Sequence, residues 1–82
     1  MPVVTLYGKP GCHLCDDARA VVERVREQRP FELEEVDVSL DPVLHSRYGE
    51  RIPVVELDGQ ELSEFFVDEE SLRERLDRVI SP

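Results

Sequence analysis

The sequence has no apolar run near the roughly 18 residues that a membrane-spanning helix needs, and no stretch is repetitive or of low complexity. It is also short of basic residues. Ten lysines and arginines face nineteen aspartates and glutamates, for a net charge of −9. So acidic a chain repels phosphate backbones and anionic headgroups, which argues against nucleic acid and membranes as partners. The plain reading of that charge is that it keeps a small protein in solution. Cysteine and histidine are scarce, at two residues each. Structural zinc usually takes four ligands; beyond Cys12 and Cys15 only His13 and His45 remain, and His13 lies inside the cysteine spacing. The opening Met1-Pro2-Val3 lacks the basic and apolar regions of a secretory leader. The expectation is a cytoplasmic location, where a cysteine pair is more often catalytic or metal-binding than structural. Eighty-two residues, 40% apolar and 35% charged, suit one domain over 1–82 with a modest core.

What is present centres on Gly8-Lys9-Pro10-Gly11-Cys12-His13-Leu14-Cys15. A strand-like run, Val3 to Tyr7, precedes it and a helix-like run follows. A C-x-x-C pair at a strand-to-helix junction is the sequence form of a thioredoxin-like redox site. Cys12 falls where free backbone N–H groups and the positive end of the helix dipole favour a thiolate, the form that reacts. Lys9, three residues earlier, adds a cation to that environment or is a plain loop lysine. Asp16 and Asp17 put negative charge one turn away. His13 either tunes the pair near neutral pH or is simply exposed, His45 reads as surface, and Tyr7 either packs beside the site or fills core.

The rest of the chain alternates strand and helix patterns. Leu14, Ala18, Val21, Val22 and Val25 form one apolar helical stripe that Pro30 ends. Phe31 to Val38 predicts a strand whose apolar phase changes near Glu34 and Glu35, which a bulge or a late start would explain. Asp41-Pro42 predicts the capped start of a short helix through Leu44 and Tyr48 that closes at Gly49. Pro53 to Leu57 and Gln60 to Val67 predict a hairpin about Asp58-Gly59. Asp68 predicts the cap of a last helix with Leu72, Leu76, Val79 and Ile80 on its apolar face, and Glu69–Arg73 and Glu74–Arg78 as i,i+4 pairs. The order is β-α-β-α-β-β-α, an α/β fold over one small mixed sheet.

These pieces together resemble a glutaredoxin, within the thioredoxin-like fold, and more narrowly the short bacterial glutaredoxin-like proteins with a C-x-L-C site. Two segments carry the resemblance: Tyr7-Gly8-Lys9-Pro10-Gly11-Cys12-His13-Leu14-Cys15 and Tyr48-Gly49-Glu50-Arg51-Ile52-Pro53-Val54-Val55. It implies a four-stranded sheet of order 2-1-3-4 with strand 3 antiparallel to strand 1. It further implies a cis bond at Ile52–Pro53, with Pro53 facing the active cysteine and the Ile52 backbone offered to an extended substrate. One departure stands out. Glutaredoxins that bind glutathione carry Gly-Gly followed by Asp after the fourth strand, whereas this chain has Phe65-Phe66-Val67-Asp68-Glu69. Lys9 and Arg51 are the local cations for glutathione's carboxylates.

The implied activity is thiol–disulfide exchange on protein or glutathione disulfides, with Cys12 as nucleophile and Cys15 as resolving thiol. Lys9, Arg51, Ile52 and Pro53 are the expected substrate-binding residues. No bound cofactor or metal is expected, the expected state is a monomer, and glutathione or a thioredoxin-type reductase would restore the dithiol. Three alternatives stand beside it: an iron–sulfur cluster shared between two chains, as in some glutaredoxins; a redox-sensing interaction module without turnover; and a structural disulfide, whose tiny loop has the least chain-entropy gain.

Overall fold

The computed structural model describes residues 1–80, the side chain of Ile80 excepted; the expected place of Ile80 on the last apolar stripe lies outside the described residues. The elements are β1 (Val3–Gly8), α1 (His13–Gln28), β2 (Glu32–Asp37), a single 3₁₀ turn (Val38–Leu40), α2 (Pro42–Tyr48), β3 (Val54–Leu57), β4 (Gln60–Glu64) and α3 (Glu69–Ile80). The strands form one sheet in the order β2-β1-β3-β4. β1 runs parallel to β2 and antiparallel to β3, and β3 antiparallel to β4. This is the arrangement that the glutaredoxin resemblance implies. Among the described residues no helix is long and apolar enough to cross a membrane.

Alternation along β1 divides the core in two. Val4 and Leu6 face one side of the sheet with Val55 and Leu57 of β3, and α1 and α3 cover them through Ala18, Val22, Val25, Leu72 and Leu76. Burying a valine or leucine of this kind contributes about 1.5–3 kcal/mol, so this cluster is the main source of stability. α1 and α3 run side by side in the same direction. Arg24 pairs with Glu69 at 2.9 Å, Arg73 donates to Gln28 Oε1 at 3.0 Å, and Arg29 pairs with Asp77 at 2.5 Å. Tyr7 and Val54, on the other side, join a second cluster formed by Cys15, Val38, Tyr48 and Ile52, with Leu44 and Cys12 packed against it.

That two-sided sheet explains the phase change in β2. The strand starts at Glu32, later than expected, and pairs with β1 in unbroken register from Val3↔Glu32 to Gly8↔Asp37. Leu33, opposite Val4, serves the first cluster, while Val36, opposite Tyr7, lies on the other face. No bulge is involved; the irregularity in this sheet lies between β3 and β4.

The local signals for turns and caps hold. Asp58 and Gly59 both have positive φ, 49° and 86°, as a tight two-residue hairpin demands. Asp41 caps α2 by accepting from the Val43 N–H at 2.9 Å, and Asp68 accepts from the Glu70 N–H at 3.2 Å. Four expectations need correction. β4 stops at Glu64 rather than Val67, because Phe65 turns to φ 71°. Leu14 and Val79 lie on the outer margins of their helices, half exposed at 50% and 48%. The pair Glu69–Arg73 forms at 3.3 Å, but Glu74–Arg78 is not among the ion pairs of the described residues.

Candidate active site

The site begins where β1 ends. Gly11 takes φ 77°, and the chain turns so that Cys12, extended at φ −95° and ψ 112°, becomes the N-cap of α1. The cap position is one where serine, threonine or aspartate usually offers an oxygen. Here the Sγ of Cys12 takes that part and accepts the Cys15 N–H at 3.2 Å, while the Cys12 carbonyl accepts the Asp16 N–H at 3.1 Å. The sulfur therefore sits among the unpaired N–H groups at the positive end of a sixteen-residue helix.

Cys15 lies one turn further in. It is 1% exposed, whereas Cys12 is partly open to solvent, and the two thiols are unbridged. The Cys15 sulfur fits because residue 8 is glycine: a Cβ there would stand 3.0 Å from it. Burial pushes the Cys15 thiol up to about 11, and the neighbouring Cys12 adds to the rise; the Lys9 backbone N–H and the charge of Arg19 work against it. A native thiol titrating above its unfolded value of 9.0 keeps its proton after the unfolded chain has lost it. The contribution is neutral below that value, and stability falls as pH climbs from 9.0 toward 11. The slope is bounded by about 1.4 kcal/mol per pH unit for one proton. Urea midpoints for the wild type and Cys15→Ser are expected to diverge as pH rises from 9.0 toward 11, with only the wild type carrying this loss; parallel profiles would contradict the burial of Cys15.

The segment 51–53 closes the site. The Ile52–Pro53 bond is cis, Pro53 is fully buried, and Ile52 packs in the same cluster as Cys15, with Cys12 at its edge. The Phe65 N–H, shared between Pro53 O at 2.8 Å and Arg51 O at 3.2 Å, stitches the β4–α3 loop to this segment. Phe65 thereby stands in the left-handed region, which bulky residues seldom adopt, and both Phe65 and Phe66 point to solvent. Lys9 is exposed. Arg51 is committed elsewhere: one nitrogen reaches Glu61 at 2.8 Å and Glu64 at 3.1 Å, and the guanidinium lies 5.4 Å from the Tyr48 ring centre. Binding an anionic substrate with Arg51 would mean breaking those pairs. His13 and His45 are exposed. Among the described residues no three His, Cys, Asp or Glu side chains gather as a metal-binding group.

Two features of the site escaped the sequence reading. Tyr7 and Tyr48 stack with ring centres 4.2 Å apart, and their hydroxyls donate to the two oxygens of Glu56 at 3.1 and 3.0 Å. Burial first, and then the Glu56 carboxylate, holds the Tyr7 hydroxyl protonated well beyond its ordinary range. The signal was a lone charge inside Val54-Val55-Glu56-Leu57, since a half-buried carboxylate needs donors. The other is Arg19, which bonds Asp16 at 3.1 Å and also Glu35; its i+4 spacing from Cys15 was the available sign.

The comparisons agree with this geometry. Residues 3–77 match the family profile described as Glutaredoxin-like domain (DUF836). An uncharacterized protein of Mycobacterium tuberculosis is 34% identical over 77 residues, covering 88% of this chain and 79% of that protein. Among solved structures, a structural-genomics target protein from X. campestris is 36% identical with a TM-score of 0.75, covering 92% of this chain and 96% of that one. A mutant thioredoxin of Halobacterium salinarum is 28% identical with a TM-score of 0.69, covering 94% of this chain and 73% of that one.

Proposed function

Because the chain belongs to the glutaredoxin-like domain (DUF836) family, we propose that it is a dithiol thiol–disulfide oxidoreductase acting on protein disulfides. The observation that carries this reading is the asymmetry of the pair, with an accessible Cys12 sulfur at a helix start and a buried Cys15 one turn behind it. Cys12 attacks a substrate disulfide as thiolate, a Cys12–substrate bond forms, and the first substrate thiolate leaves. Cys15, deprotonated, then attacks the Cys12 sulfur and expels the second substrate thiolate. The substrate gains two electrons and the protein is left with a Cys12–Cys15 disulfide. Two molecules of glutathione, which leave as glutathione disulfide, or a thioredoxin-type reductase supply the two electrons and two protons that return it to the dithiol.

Two features favour an extended protein segment over glutathione as substrate. Ile52 has no backbone hydrogen-bond partner among the described residues, so its N–H and C=O are free to receive a strand beside the sulfurs. The place of the Gly-Gly pair is filled by Phe65 and Phe66, with Phe66 71% exposed, and side chains there obstruct the close backbone approach that glycine permits. Asp68, the acidic residue of that motif, caps α3 instead.

The test is turnover of a protein disulfide, with glutathione and thioredoxin reductase compared as reductants and the reduction potential of the pair measured alongside. Turnover that requires both cysteines supports the proposal; a pair that cycles with neither reductant overturns it. Limiting iodoacetamide at neutral pH is expected to label Cys12 with little label on Cys15, because the thiol of Cys15 is buried and pushed up to about 11. Peptide mapping checks this, and preferential label on Cys15 would reverse the assignment.

A further inference from the structure

A cleft of about 350 Å³ opens beside Cys15, at the ends of the parallel strands β1 and β2. Its walls include Gly8, Lys9, Cys15, Arg19, Glu35 and Asp37. Arg19 follows Cys15 by one helical turn, so both side chains lie on the α1 face that meets β2. Glu35 reaches the same place from the strand: it pairs with Leu6 in the parallel register and so points to the side of the sheet that α1 covers. The guanidinium is fixed between Asp16 and Glu35.

From this arrangement, and resting on the reading of Cys15 as the resolving thiol, we infer that Arg19 is a positioning residue for the second half of the reaction: held by Asp16 and Glu35, it sets a positive charge beside the Cys15 sulfur when that sulfur must become a thiolate. Cys15 has to lose a proton before it can attack Cys12, and it must do so where burial opposes charge. The charged and titratable groups around it are few. The β1–α1 loop brings Lys9 and Cys12, α1 brings Asp16 and Arg19, the end of β2 brings Glu35 and Asp37, and Tyr7 and Tyr48 share the cluster in which Cys15 packs. Asp37 is engaged by the N–H and hydroxyl of Ser39. Arg19 is the cation of this set that is locked in place by hydrogen bonds, and its charge lowers the Cys15 thiol against the pull of burial. Glu35 acts in the opposite sense, because it neutralises part of the charge it holds.

Opposed signs make the inference testable. Stopped-flow reaction of the reduced protein with 5,5′-dithiobis(2-nitrobenzoate) releases one chromophoric thiolate when Cys12 attacks and a second when Cys15 resolves the mixed disulfide. Arg19→Gln is expected to slow the second release at neutral pH by about two- to fivefold, the scale of an exposed charge pair, and to move its pH profile upward. Glu35→Gln is expected to speed it by a similar factor and move the profile downward. Arg19→Lys is expected to stay near the wild type. The opposed shifts should shrink at about 1 M salt, where the screening length falls to about 3 Å. If the ion pair served only to join α1 to β2, both glutamine variants would shift the second phase the same way or not at all, and either result would overturn the inference. Glu35→Gln leaves Arg19 bonded to Asp16, so it decides the sign even if Arg19→Gln does not fold. A wild type that releases only one thiolate would instead remove Cys15 from the resolving role, and the inference would go with it.

Discussion

Replacing Cys15 with serine is expected to halt exchange midway, with the substrate thiol left on Cys12 as a stable mixed disulfide. Cys12 keeps what it needs for the first attack, since the N–H that caps its sulfur belongs to the backbone of residue 15 and survives the change. What is lost is the thiol that lies a single helical turn away and competes with every external thiol for the Cys12 sulfur. Intact mass after incubation with a disulfide peptide should show near-complete adduct, and turnover should fall to background. Cys12→Ser should show no adduct at all, because the remaining thiol is 1% exposed and holds its proton at neutral pH. An adduct confined to the Cys12→Ser protein would exchange the two roles.

The largest stability effect is expected from the core that α1 and α3 cover. Leu76 is the largest of the fully buried side chains, and it sits with Leu72 of α3 in the cluster of Val22, Val25, Val4 and Val55. Leu76→Ala removes those contacts and leaves a cavity that a helix pinned by Arg24–Glu69 and Arg29–Asp77 cannot readily collapse. The cost should be about 2–5 kcal/mol, a large part of the roughly 5–15 kcal/mol that holds a domain together. Urea denaturation followed by far-ultraviolet circular dichroism measures it, with the slope unchanged and the midpoint lowered. A loss below about 1 kcal/mol would mean that α3 is not a full member of the core.

Features written in neighbouring residues were legible before the fold was known. The C-x-x-C junction, the Asp58-Gly59 hairpin, the Asp41-Pro42 and Asp68 caps and the α1 stripe each need only a few adjacent side chains and elementary backbone preferences. The sheet order follows from the family resemblance alone, and the cis bond at Pro53 from that resemblance together with two local signs, a proline at a strand start and a helix end at Tyr48-Gly49 shortly before it. What stayed hidden depended on the second face of the sheet or on partners far along the chain. The phase change in β2 reads locally as a bulge or a late start; it reflects a sheet covered on both faces, since Leu33 serves the cluster with Val4 while Val36 lies opposite Tyr7 on the other face. Leu14 fits the helical period of α1, yet the turn that holds the cysteines carries it outward. Arg51 looked free for a substrate because Glu61 and Glu64 come from the next strand. Phe65 looked like a continuation of β4 because nothing local announces a left-handed phenylalanine; the carbonyls that hold it there belong to Arg51 and Pro53.

The stacked tyrosines carry one more consequence. The chain has no tryptophan and only two tyrosines, and both belong to the Glu56 cluster that packs against the cysteines. Intrinsic ultraviolet emission is therefore a local instrument, blind to the α1–α3 half of the molecule except through what reaches Tyr7 and Tyr48. A carboxylate accepting from both hydroxyls is a built-in quencher, so emission should brighten when α2 lifts from the sheet, even while the Leu76 core stays closed. Spectra of this protein should be read as reports from the redox side, and a helix signal recorded in parallel would show whether the two halves open together.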